Sequence, residues 1–475
     1  MPKNMKTYME SLMAECPEEL IRVKKMVEPK FEATTFLRKL ELEGRSPMAI
    51  FPEVKNLHGE KSEFPLAFNA FSSRKKLAVA LGLPADKYKM EPVLELAARY
   101  KQPGTVEVIS KEAAPIKERI MIGDAADLYS LPIPTHHSKD GGPYILGASV
   151  AMKNPETGTY NLAMLRMHVK DEKRTTIHAE LNHHSGMIIK ANKDAGKHTP
   201  IAIIIGHHPS FYLGSQWEGP FGQDEYEIAS AAMQEPLRVV PSETWGSEFM
   251  IPADAEFVIE GYVTADEMDE EGPVGEHTRY YKTIRGGKID KRMDPVVRIT
   301  AINCRKDAIY LSNNMAHADQ GFIGSLPKEA VIFERAKWSC PGLKAVYLTP
   351  GGVCRYICYI SLKQRVAGEA KDAIMAAFIS DWHIKFVVAV DEDLDIFNDQ
   401  EVLWAIATRT QPNKRFFVIP DAMGASLDPT VSMESSKPVT SKMGIDATRP
   451  YGEPFSEVCE VPVDMLAGLR IEDYL

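Results

Sequence analysis

Apolar residues recur along this chain with a rhythm that changes by region. Over the first ~120 residues, short helical and strand-like patches alternate. There "SSRKKLAVALGLP" reads as a helix ending at Gly82, with Pro84 beyond it. "LYSLPIPTHHSKDGGPYILGASV" is dense in Pro and Gly and reads as loop leading into a strand. From there to about residue 310, strand patterns dominate: "YNLAMLRMHVK", "TPIAIIIG", "AEFVIEGYVT", "PVVRITAINC" and "AIYLSNN". That many strands in one region predict a barrel or curled sheet. "SLPKEAVIFERAKWS" predicts a helix with Pro327 in its first turn. Beyond it, "YICYISL", "GEAKDAIMAAFISDW", "KFVVAV" and "DQEVLWAIATR" alternate strand and helix. Ala370, Ile374, Ala377 and Phe378 share one helix face. Unbroken apolar strands between helices predict a buried parallel sheet.

The predicted class is therefore α+β / α/β in four parts. An N-terminal α/β region covers 1–120 and a strand-rich domain 121–324. A linker helix covers 325–340 and a C-terminal α/β domain 341–475. At 475 residues, two or three cores are expected. The 66 acidic and 56 basic residues give a net charge of −10, which argues against nucleic acid and anionic membranes as partners. No run approaches the ~18 apolar residues of a membrane helix. The N-terminus "MPKNMKTYMESLMAEC" lacks a signal-peptide core. The six cysteines, Cys16, Cys304, Cys340, Cys354, Cys358 and Cys459, are scattered without a C-x-x-C pair. A reducing cytoplasm is the expected setting.

Candidate chemistry begins with "EGPVGEH", Glu271 to His277. In a strand, residues five apart point to opposite faces, and on a helix they diverge. Only a bent segment brings Glu271 and Glu276 together, and Pro273 with Gly272 and Gly275 provides the means. The pair reads either as an acid–base pair, as in a glycosidase, or as a surface turn. "NLAMLRMHV" alternates: Asn161, Ala163, Leu165 and Met167 on one face, Leu162, Met164, Arg166 and His168 on the other. Arg166 lies among apolar neighbours and needs an anionic partner, either a ligand carboxylate or a structural acid. The histidine pairs His136–His137, His183–His184 and His207–His208 face opposite ways in a strand, so each offers one metal ligand or none. The chain lacks G-x-G-x-x-G, P-loop, G-x-S-x-G and H-E-x-x-H signatures.

Together these stretches resemble the UbiD family of prenylated-FMN-dependent (hetero)aromatic carboxylic acid decarboxylases. The resemblance runs through "LIRVKKMVEPKFEATTFLRKLELEG", "LPIPTHHSKDGGPYI", "YNLAMLRMHV", "EFVIEGYVTADEMDEEGPVGEHTRYY", "VLWAIATRTQP" and "SKMGIDAT". It implies that the strand-rich domain is a split β-barrel binding the flavin. Arg166, Glu271 and Glu276 then match the catalytic set, with Arg166 holding the carboxylate, Glu271 orienting Arg166 and Glu276 donating the proton. Asn161, His184 and Glu225 match the ligands of Mn²⁺, with K⁺ beside it. Lys442 matches a lysine near the cofactor phosphate, and Asn161, Arg166, His183 and His184 belong to the cofactor site.

The implied reaction is reversible, non-oxidative decarboxylation of a hydroxybenzoate-like or furan/pyrrole-carboxylate-like acid through a covalent substrate–flavin adduct. A flavin sink suits a carbanion that the ring π system cannot absorb. The implied partners are the small acid, CO₂, a flavin prenyltransferase supplying the cofactor, and a second copy in a dimer or hexamer. One stretch departs from the family: "NNMAHADQGFIG" stands where many members carry a "G-R-P-P-x-E"-like run, which makes His317 a candidate substrate contact. Two other readings stand beside this one: a carbohydrate-active hydrolase using Glu271 and Glu276, and a non-catalytic assembly subunit of the same fold.

Overall fold

The computed structural model describes residues 2–284, 288–431 and 439–475. Four sheets organise them. In the N-terminal region Leu20–Arg22, Met48–Phe51 and Leu66–Phe68 form a small sheet, which Tyr310–Leu311 joins from far along the chain. The helix in "SSRKKLAVALGLP" runs Arg74–Ala80, capped by the Ser73 side chain, and Gly82 follows at φ +75°.

The central sheet has nine strands. Its spine is the pair Phe257–Glu271 and Arg292–Cys304, with Thr199–Ile205, Ala148–Lys153 and Tyr160–Ala163 following on one side. On the other side come Arg174–Ile177, Met167–Val169 and Tyr144–Ile145, while Arg119–Ile122 also pairs with Arg292–Cys304. Thr199–Ile205 is apolar throughout its inner length because both faces are covered.

The long alternating segment at 160–169 differs from the sequence expectation. It is not one strand. Tyr160–Ala163 lies at one end of the sheet, and Met167–Val169 lies next to last at the other. Only residues 164–166 connect them, a path of at most about 14 Å from Ala163 to Met167. The sheet must therefore curl until its ends nearly meet, as a strand-rich region of this length predicts.

A second correction concerns the connecting helix. It runs Ala318–Ser339, so Pro327 sits in its interior rather than its first turn. The buried Asp319 carboxylate accepts from Asn69, Phe71 and Asn314 N–H and fixes the helix start. The helix thus begins inside the span assigned to the strand-rich domain.

The C-terminal sheet has five strands. Ile357–Leu362, Phe386–Asp391 and Val439–Asp446 run parallel, and Leu343–Leu348 and Phe416–Met423 flank them antiparallel. Helix Glu369–Ser380 packs Ala370, Ile374, Ala377 and Phe378 into the main core. Helix Asp399–Arg409 covers the other face, over Val388, Val390 and Ile445. Among the described residues no helix is long and apolar enough to cross a membrane.

Candidate active site

The break at 164–166 is what exposes Arg166. Freed from the strand ladder, Met164, Leu165 and Arg166 line a cavity of about 690 Å³. Facing them are Glu276 and, from the C-terminal domain, Trp382 and His383.

Glu271 ends the strand Phe257–Glu271, and Gly272 turns the chain at φ +97° before Pro273, after a cis peptide bond. An added Cβ on Gly272 would meet the Asp290 carbonyl at 3.2 Å, so backbone passes close on that side. This turn gathers the acids around one guanidinium. Arg166 Nε and Nη2 donate to Glu271 at 3.0 and 3.2 Å, and Nη1 donates to Glu276 at 2.7 Å. The surface-turn reading of this segment fails, since Glu271 and Glu276 are both buried.

Burial, the largest single influence, raises the Glu271 pKa, but the charge and hydrogen bonds of Arg166, with His178 and Tyr144, together outweigh it and hold the carboxyl below its usual range. Burial opposes charge on Arg166 as well, and the two glutamates more than restore it. Tyr144 fixes the pair from behind: its hydroxyl donates to Glu271 at 3.1 Å and accepts from Gly272 N–H at 3.1 Å.

Several residues of this site carried no sequence signal. Tyr144, Arg292 and Asp294 come from distant strands and His178 from just past the end of Arg174–Ile177, and only the register brings them here; Glu271 pairs directly with Arg292. His178 Nδ1 lies 2.9 Å from Asp294, and Nε2 lies 3.0 Å from Arg292 Nη1. Oxygens and nitrogens of His178, Glu271 and Asp294 fall within 4.8 Å of one another, a spacing a metal would accept. Arg166 and Arg292 already supply the positive charge there, which disfavours a cation.

The Asn161, His184 and Glu225 set also assembles, beyond the rim of the cavity that His183 lines. Tyr160–Ala163 is an edge strand, and the N-terminus of helix Glu225–Met233 caps it. Asp224 accepts from Tyr160 N–H at 3.1 Å, and Glu225 accepts from Leu162 N–H. Asn161 spends its amide NH₂ on Ser185 Oγ at 2.9 Å, which leaves its carbonyl oxygen available to accept or ligate. The remaining Glu225 oxygen lies 3.5 Å from His184 Nδ1. Neighbouring donors around an octahedral divalent ion stand about 3 Å apart, close to the His184–Glu225 spacing, so these two side chains could share one hard cation. Burial raises the Glu225 pKa beyond what His184 and Leu162 offset, leaving a carboxylate short of positive charge. The histidine pair is not in a strand: His183 stands at the N-cap of helix His184–Asp194 and lines the cavity, while His184, the first helical residue, turns toward Glu225.

Two expected residues lie apart from the Arg166 wall. Lys442 is buried, and its ammonium donates to the carbonyls of Trp382 and Ile384 at 3.0 and 2.8 Å. Burial lowers its pKa to about 8. It thus braces the segment that carries Trp382 and His383. His317 bonds Glu41 through Nδ1 at 2.8 Å and stacks on His137. It lines a smaller neighbouring cavity of about 160 Å³.

A buried Arg–Glu–Glu cluster beside a cavity within the ~300–1,000 Å³ of small-molecule sites is a candidate active site, with a guanidinium able to take an anionic ligand. Comparison with known proteins defines the class. Residues 14–98, 107–317 and 321–447 match, in order, the N-terminal, Rift-related and C-terminal domains of 3-octaprenyl-4-hydroxybenzoate carboxy-lyase, UbiD. The chain belongs to the UbiD family of carboxy-lyases.

It is 35% identical to the UbiD-class enzyme HmfF of Pelotomaculum thermopropionicum, solved with FMN, at a TM-score of 0.89. That match covers 99% of this chain and 100% of the other. An evolved dimeric form of HmfF in complex with prFMN matches at 33% identity and a TM-score of 0.87, over all of both chains. Among curated relatives, it is 30% identical over 444 residues to the anhydromevalonate phosphate decarboxylase of Methanothermobacter thermautotrophicus, 93% of this chain and 97% of that protein. It is also 30% identical over 446 residues to the phenolic acid decarboxylase of Bacillus subtilis, 91% of this chain and 90% of that one.

Proposed function

We propose that this enzyme removes CO₂ reversibly from an aromatic or heteroaromatic carboxylic acid, with Arg166 as the carboxylate grip and Glu276 as the proton donor. The observation that carries the reading is the Arg166 guanidinium, held by two buried carboxylates on the wall of a flavin-sized cavity. A guanidinium has five N–H donors, and the bonds to Glu271 and Glu276 use three of them. The other two are free for a ligand carboxylate. Glu271, locked by Tyr144, orients Arg166 and stays ionised. Glu276 shares Nη1 with the incoming carboxylate, which places it beside the carbon that must be reprotonated. Chemistry at an sp² carbon needs an electron sink, and a bound prenylated FMN supplies it.

The residues fit that cofactor. The cavity mixes Met164, Leu165, Met315 and Trp382 with polar groups at its rim. Asn161, His184 and Glu225 would hold Mn²⁺ for the phosphate end, with K⁺ beside it on the strength of the family resemblance. A flavin prenyltransferase is the implied source of the cofactor. Exposed Leu466, Leu469, Ile471 and Tyr474 near the C-terminus support a homo-oligomer.

The test is cofactor-loaded protein given a panel of aromatic and heteroaromatic acids, with CO₂ release and ¹³C-bicarbonate exchange as readouts. Glu276→Gln and Arg166→Ala are expected to lose ~10²-fold or more in rate. A His184→Ala protein should retain its fold but lose bound manganese. Full turnover by Glu276→Gln would remove the proton donor from this scheme.

A further inference from the structure

The part of the catalytic cavity built by the C-terminal domain carries an acid–imidazole dyad that the scheme above does not use. Trp382 and His383 line the cavity from there. Asp381, the C-cap of helix Glu369–Ser380, stands two residues before His383. Its Oδ1 accepts the His383 backbone N–H at 2.9 Å and lies 2.8 Å from His383 Nδ1. Its Oδ2 lies 3.0 Å from Lys328 Nζ on helix Ala318–Ser339, and Lys328 also pairs with Glu218. The imidazole is clamped on its face as well. Trp382 stacks on it with ring centres 3.7 Å apart. The Lys442 ammonium holds the carbonyls on either side, those of Trp382 and Ile384.

These contacts decide how the ring can bond. Burial pushes the Asp381 carboxyl up, yet Lys328 and His383 together hold it far below its usual range. It is therefore ionised and only accepts. Nδ1 then carries the proton of the neutral ring, and Nε2 carries the lone pair. Burial, with the Lys328 and Arg355 charges, outweighs Asp381 and lowers the His383 pKa to about 4, so the ring is neutral near neutral pH. Among the described residues Nε2 has no hydrogen-bond partner. A histidine that only tied off the helix end would need neither the stacked Trp382 nor a carboxylate anchored by a buried lysine. A rigid, neutral acceptor on a cavity wall is costly when left bare and suits a ligand N–H or O–H.

We infer that His383 Nε2 accepts a hydrogen bond from a donor on the substrate ring, so the acid this enzyme takes carries an O–H or N–H, as a hydroxybenzoate or a pyrrole carboxylate does and a furan carboxylate does not. The inference rests on the proposed decarboxylase reading and narrows its substrate class. His383 is a specificity residue, and Asp381 is a positioning residue that fixes its tautomer. A site that pairs with a substrate donor rejects the analogue lacking it, because its own acceptor is then left unpaired.

The experiment has two readouts. First, binding is measured by calorimetry on FMN-reconstituted protein with matched pairs: pyrrole-2-carboxylate against furan-2-carboxylate, and the three hydroxybenzoates against the matching fluorobenzoates. At least one donor acid is expected to bind about tenfold or more tighter than its donor-free partner. His383→Phe, which keeps the stack on Trp382 and removes the acceptor, should shrink that ratio at least fivefold. His383→Gln, whose amide carbonyl can accept, should restore part of it. FMN affinity should stay within threefold in both variants; a larger loss would give the nitrogen to the flavin and overturn the inference. Donor acids that bind no better than their partners, or a preference untouched in both variants, overturn it too.

Second, ¹⁵N spectra of histidine-labelled protein read the tautomer, with His383 assigned by its loss in His383→Phe. Nδ1 should appear protonated and Nε2 unprotonated. The Nε2 signal should shift on adding the preferred donor acid and stay put on adding its partner. In Asp381→Asn it should move toward that of a protonated nitrogen, and the donor preference should fall with it. A protonated Nε2 in the wild-type protein overturns the inference. A donor preference that depends on His383 supports it even if no acid releases CO₂ from prenylated-FMN-loaded protein, in which case only the decarboxylase reading fails. Fast turnover without such a preference removes this inference and leaves that reading standing.

Discussion

At the residue scale, function here is a matter of charge balance around Arg166. The free site balances two cations, Arg166 and Arg292, against two carboxylates, Glu271 and Glu276. A ligand carboxylate adds a third anion in a pocket shielded from water, and uptake of a proton relieves the excess. Binding of an aromatic acid is therefore expected to take up protons and to weaken as pH rises. Calorimetry in two buffers of different ionisation enthalpy would detect the uptake, and Glu276→Gln should abolish it; equal apparent enthalpies in both buffers would count against the proposed proton donor. Glu271 works in the opposite sense. Its folded pKa is depressed, so its contribution to stability is complete above about pH 4.5 and fades as pH falls through the lower folded value.

At the scale of elements, close backbone packing aims these side chains. In "SKDGGPYI", Gly141 N–H donates to the Pro273 carbonyl at 2.7 Å, and a Cβ on Gly141 would sit 2.3 Å from the Gly272 carbonyl oxygen. Gly141→Ala should push the Glu271–Glu276 turn out of line. Circular dichroism is expected to show a retained fold while kcat falls by tenfold or more, since ~1 Å of displacement can cost ~10²-fold. An unchanged kcat would show that the turn holds its position without this contact.

How much of the site was legible in the sequence follows from the same packing. Local chemistry was readable: Pro and Gly between two acids announced a bend, and an arginine among apolar neighbours announced a need for anions. The C-terminal strands and helices were readable too, because their periodicity is local. The break at 164–166 was not, because alternation looks the same whether or not the strand continues, and only pairing with different partners interrupts it. The start of helix Ala318–Ser339 was hidden by glycines whose purpose is room for Cys354 and Arg355. Tyr144, His178 and Asp294 were invisible because register, a long-range property, delivers them.

At the scale of the whole molecule, one buried carboxylate ties three regions together. Glu329, on helix Ala318–Ser339, accepts from Arg74 Nη1 of the N-terminal region at 2.6 Å and from Leu348 N–H of the C-terminal sheet at 2.9 Å. Glu329→Ala strands a buried guanidinium and is expected to cost about 3–5 kcal/mol. Urea unfolding should show this as a lowered midpoint, and the double variant Arg74→Met/Glu329→Leu should recover much of the loss. A midpoint that stays put in the single variant would mean the pair contributes little.

The interrupted segment between Ala163 and Met167 has one more consequence. Asn161, in the proposed metal set, lies just before this tether and Arg166, the proposed carboxylate grip, at its far end, and the tether is pinned at both ends to different partner strands. The tether works as a ruler. An added or deleted residue inside it would leave both flanking ladders intact, yet would put the anchoring end of a bound cofactor out of step with its reacting end. Spacing there is as much a part of the catalyst as the side chains are.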